Sequence, residues 1–90
     1  MCTYQTERIT VEASAKGPNG WFRATEATVY YDHPVHFSSG HALMIDVMNP
    51  ALGPSSRVGI EMDAHSARHL ANTILRALDA APAELFEREG

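Results

Sequence analysis

The sequence predicts an α+β domain in which a four-stranded antiparallel sheet, in ββββα order, carries one C-terminal amphipathic helix on one face. Three observations predict it. Four stretches with alternating or continuous apolar residues follow one another, separated by segments dense in glycine, proline, serine or asparagine. The reversals between them are short, which suits antiparallel pairing. A single segment after Asp63 then switches to apolar residues three and four positions apart.

The first strand is expected from Thr3 to Ala15, where Ile9, Val11 and Ala13 alternate with Arg8, Thr10 and Glu12. Lys16 to Gly20 reads KGPNG, a hairpin loop in which glycine or asparagine supplies positive φ and proline a fixed bend. The second strand, Trp21 to Asp32, alternates less cleanly but is rich in β-branched and aromatic residues. The third, His41 to Met48, has Leu43, Ile45 and Val47 on one parity, and Ala42, Met44 and Met48 on the other, with Asp46 the lone charge. Both of its faces are expected to be covered. Asn49 to Ser56 is a loop, and Val58, Ile60 and Met62 then alternate with Arg57, Gly59 and Glu61 as a one-sided fourth strand. Asp63 is placed to cap a helix from Ala64 to about Ala80, because Ser, Thr, Asp and Asn accept from the free amides of a first turn. Pro82 disfavours helical geometry at Ala81 and marks its end. Leu85 and Phe86, on an acidic tail, either dock as a short extra turn or stay loose.

Ninety residues make a single domain, residues 1–90, that buries only roughly 60–65% of its unfolded surface. A core this thin needs reinforcement. With one cysteine, Cys2, an intrachain disulfide is impossible, which leaves partner subunits or a bound metal. One helix covers one face of a sheet, so a third strand apolar on both sides implies a homodimer, or a higher homo-oligomer, formed through the sheet. The formal charge of −4 and the scattered arginines argue against nucleic-acid binding. The longest uninterrupted apolar run, Ala42 to Ile45, is too short to cross a bilayer, and no basic and apolar leader opens the chain. A cytoplasmic protein is expected.

His33, His36 and His41 flank the entry to the third strand. Imidazoles are common ligands of zinc, copper, nickel and iron, and three with an open position make a catalytic metal site. Asp32 or Asp46 completes the set. Asp46, an aspartate in an apolar strand, must be paired, hydrogen-bonded, metal-bound or protonated, and is the candidate catalytic base. The alternative is that these histidines are solvated or cap backbone groups, while Asp46 accepts hydrogen bonds at a subunit interface. Trp21, Tyr31 and Phe37, with Phe22 and Tyr30 nearby, are candidates to line a substrate pocket, although aromatic residues in strands more often belong to a core. His65 and His69, an i, i+4 pair, lie opposite the helix's apolar stripe and are expected to face water. Cys2 becomes a nucleophile or chelator only if Met1 is removed. Gly53 to Arg57, GPSSR, suggests anion binding, but its turn opens onto a strand rather than the helix N-terminus that a phosphate cradle needs.

The opening MCTYQTE, the turn SAKGPNGWF, DHPVHF and MNPALGPSSRV together resemble a family of short bacterial proteins grouped as a domain of unknown function. The resemblance spans nearly the whole chain and implies a complete protein, without implying an activity or site residues. The residues therefore favour a small cytosolic homodimer with a metal or small-molecule site at the histidine loop, as in a small metal-dependent enzyme. The alternative is a non-catalytic oligomeric binding or accessory protein.

Overall fold

A computed structural model of the chain describes residues 5–85. Four strands, β1 (Thr6–Gly17), β2 (Gly20–Asp32), β3 (Ala42–Met48) and β4 (Arg57–Met62), precede the helix α1 (Ala64–Ala80). They form one sheet in the order β1-β2-β3-β4, each antiparallel to the strand before it. The predicted ββββα architecture is the observed one. Phe86, like Cys2, lies outside the described residues.

Turn chemistry sets the first hairpin. Gly17 pairs with Gly20 across Pro18 and Asn19, and the positive φ expected in this loop falls on Gly20, at 108°, while Asn19 keeps a negative one. The register then breaks within β1: Thr10 pairs with Glu26 but Ala13 with Ala24, so Val11 and Glu12 together oppose Thr25. This is a β-bulge, and it reverses which side each later residue of β1 faces. The expected single stripe of Ile9, Val11 and Ala13 is thereby split, with Ile9 beside Ala27 and Ala13 beside Ala24, on opposite faces.

Register assigns the faces. Thr28, Asp46 and Gly59 lie side by side, as do Tyr30, Met44 and Glu61, and this face is polar. Val29, Ile45 and Ile60 share the other face with Val47, Val58, Leu43 and Met62, and it is apolar. Small residues let the polar face bend inward: a Cβ at Gly17 would come within 3.2 Å of both the Phe22 ring and the Ser55 carbonyl. The hairpin tip accordingly meets the β3–β4 loop, where Asn19 Nδ2 donates to Ser55 Oγ at 3.3 Å. That loop begins with a 3₁₀ turn, Pro50–Leu52, capped by the Asn49 side chain.

Burial reverses the usual arrangement of such a sheet. Thr28, Met44 and Asp46, on the polar face, are buried, whereas among the described residues of the apolar face Ala27 alone is buried and Ile9 and Ile60 are exposed. The helix explains why. It is capped as expected, with Asp63 Oδ1 accepting from the Ser66 amide at 2.7 Å, and it meets the sheet through β3. Yet none of its residues is buried, and Leu70, Ile74, Leu75 and Leu78 stay 41% to 58% exposed. His65 and His69 are exposed too, as expected of the polar stripe. Residues 83–85 make one further helical turn. Among the described residues no helix is long and apolar enough to cross a membrane.

Candidate functional site

The polar face holds a cleft of about 790 Å³. Its floor is an ion pair. Asp46 comes from the middle of β3, where an ionised carboxylate requires compensation, and Arg57, at the start of β4, supplies it. Arg57 donates to Asp46 Oδ1 through Nε at 3.1 Å and Nη2 at 2.7 Å, while the Tyr30 hydroxyl donates to Oδ2 at 3.2 Å. Gly59 pairs with Asp46 in the ladder, and a Cβ there would stand 3.1 Å from Asp46 Oδ1. Burial, and then the charge of Asp46, hold the Tyr30 hydroxyl above the ordinary tyrosine range. Both effects favour the protonated phenol that donates to Asp46.

The roof is a loop fastened by one side chain. Glu61, facing up from β4, accepts the backbone amides of Val35 (3.0 Å), His36 (2.9 Å) and Phe37 (2.7 Å). Successive amides converging on one carboxylate stabilise its charged form. These bonds to Val35 and Phe37 in particular lower the Glu61 carboxyl below its usual value. Met44, 6% exposed, lies below this roof and lines the cleft with Tyr30 and Phe37. The face bearing Met44 is thus closed by the chain's own loop, and the expected argument for a partner from this side of β3 does not hold.

The structure divides the histidine trio. His33 and His41 are neighbours, their ring centroids 4.4 Å apart, and His41 stacks on Tyr31 at 5.8 Å. His33 Nδ1 donates to the Gly40 carbonyl at 2.9 Å, which leaves its Nε2 as the acceptor nitrogen. His36 instead sits over Glu61, with Nδ1 3.9 Å from Oε2. The division has a physical cause: capture of the 35–37 amides by Glu61 pulls the middle of the loop onto the polar face, whereas Tyr31 belongs to the apolar one. Among the described residues no three His, Cys, Asp or Glu side chains gather closely enough to hold a metal ion. Of the aromatic residues expected at a pocket, Phe37 lines the cleft, Tyr31 stacks on His41, and Trp21 is 71% exposed beside the hairpin. Sequence reasoning gave Glu61 no site role, expected Tyr30 near a pocket rather than as a donor to Asp46, and named Arg57 only within the GPSSR segment. The signal for Arg57 was the unpaired acid in β3, since a cation on a neighbouring strand is its simplest partner.

A family model described as a family of unknown function, DUF6295, matches residues 1–87. The chain belongs to this family. No curated protein and no solved structure matches this DUF6295 member.

Two outcomes follow from the floor and the roof. Replacing Arg57 by alanine leaves an Asp46 side chain that is 10% exposed without its cation, and should lower stability by about 2 kcal/mol. Asp46→Ala, which releases an already half-exposed guanidinium to water, should cost less, and chemical denaturation of both variants compares them. For Glu61 the folded carboxyl titrates lower than the unfolded one, so its contribution is complete above the ordinary carboxylate range and disappears as pH falls through the folded value. Amide exchange at Val35, His36 and Phe37 should accelerate together over that acidic interval, and Glu61→Ala should bring the same acceleration at neutral pH.

Proposed function

We propose that this chain is a small homodimeric ligand-binding protein of the cytoplasm, with its ligand site in the roofed cleft and its apolar side paired with a second copy. The observation that carries the reading is the fastening of residues 35–37 over the Asp46–Arg57 pair. An open polar sheet face has no need of a roof, and a cleft of about 790 Å³ falls within the size range of small-molecule sites.

The second copy is supported by the opposite side. Among the described residues no large side chain is fully buried, while the stripe of α1 and the apolar sheet face are both left partly open. A chain of this size buries a smaller share of its surface than a larger domain does, and self-pairing through one shared patch is the commonest way to add to it. The aspartate in β3 then serves as a positioning residue for Arg57.

Sedimentation at micromolar concentration tests the assembly: a dimer is expected, and Ile74→Glu should shift it to monomer. A monomeric wild-type protein contradicts it. A fragment screen by NMR tests the site, with shifts expected to cluster at Tyr30, Met44 and Gly59; shifts confined to other surfaces would dismiss the cleft.

A second reading is favoured by the adjacency of His33 and His41 with a defined acceptor nitrogen on His33. Here the two imidazoles bind zinc, copper, nickel or iron, and His36 swings across to join them. Elemental analysis of untagged protein decides: stoichiometric metal, lost in the triple alanine variant of His33, His36 and His41, supports this reading, and metal-free protein rejects it.

A further inference from the structure

We infer that the cleft takes a small organic carboxylate with an apolar body, gripped by the outer edge of the Arg57 guanidinium. The inference rests on the cleft being a ligand site, and adds what that ligand is. It follows from the hydrogen-bonding capacity left over in the cleft once the protein's own bonds are made.

The acceptors are largely used. Asp46 Oδ1 takes two bonds from Arg57 and Oδ2 one from Tyr30, while Glu61 takes three from the roof amides. Donors remain. A guanidinium carries five N–H bonds, and Arg57 directs only its Nε and one Nη2 bond at Asp46. Among the described residues no other acceptor meets it, so the Nη1–Nη2 edge is left with a parallel pair of donors. Ser55, another lining residue, accepts from Asn19 through Oγ and keeps its own O–H to give.

Parallel N–H donors on a cation match the two oxygens of a carboxylate. The charge balance disfavours a dianion. Asp46 neutralises most of the field of Arg57 at the floor, and Glu61 adds a negative charge that the three roof amides only partly offset, so a dianion such as phosphate meets too little positive potential. The walls define the rest of the ligand: Tyr30, Phe37, Met44 and Pro54 offer an apolar lining for a ring or a short branched chain. The GPSSR segment thus acts through Ser55 and Arg57 on an anion, without the helix N-terminus of a phosphate cradle.

The test titrates the intact chain, by NMR, with four probes: benzoate, benzyl alcohol, benzylamine and inorganic phosphate. Benzoate is expected to shift Gly59, Ser55 and the Arg57 side chain, and to bind about tenfold tighter than benzyl alcohol, the gain of a charge-assisted pair. Arg57→Lys, which keeps the charge and loses the fork, should give back most of that advantage. Benzylamine or phosphate binding as well as benzoate would overturn the ligand class while leaving the cleft as a site. Failure of all four probes to shift cleft residues would overturn both readings. Should Arg57→Lys unfold, the comparison of probes on the wild-type chain still decides.

Discussion

The polar half of this molecule is organised by the carboxylate of Glu61 and the three consecutive amides it collects. A loop crossing a sheet has backbone donors to satisfy, and in residues 35–37 one side chain of β4 satisfies them together. Several features are consequences of that single attachment. It shelters Met44, encloses the space above Asp46 and Arg57, and draws His36 away from the other two loop histidines. Without it the polar face would be a shallow trough and the histidines would have no reason to part.

The same attachment gives the sheet an unusual distribution of burial. The side carrying Asp46, Thr28 and Glu61 is closed by loops, whereas the side carrying Ile45, Val47, Ile60 and Met62 has only a helix that buries none of its own residues. Polar residues tolerate enclosure here because each has a partner: among the described residues no buried side-chain polar atom lacks a hydrogen bond. Incomplete cover over apolar surface has no such internal remedy. The apolar surface left open therefore lies on the side of α1, and not on the side of Met44.

Local chemistry made the elements legible. Alternation located β1 and β4, β-branched and aromatic content β2 and a largely apolar run β3, and the Asp63 cap with Pro82 bracketed α1 at Ala64 and Ala80. The turn residues predicted the first reversal, though glycine rather than asparagine took the positive φ. Illegible were the features that depend on what lies opposite. The bulge at Val11 and Glu12 leaves no mark in an alternating pattern, because parity records which residues share a side only while the register is unbroken. Periodicity also showed that β3 was apolar on both parities, but it could not show that a loop would cover one of them. Asp46 was recognised as a residue requiring compensation, and its partners Arg57 and Tyr30 emerged only when the strands were paired. The three histidines, close in sequence, were separated by a glutamate more than twenty positions away.

The meander topology has a consequence for biosynthesis. Each strand pairs with its immediate predecessor, so hairpins can assemble one after another as the nascent polypeptide leaves the ribosome. The lid over the cleft cannot close on that schedule, because its fastener lies 24 to 26 residues downstream of the amides it holds. The roofed cleft therefore forms late, after the fourth strand has docked, and a truncated translation product ending within β3 would possess most of the sheet but no roof over it.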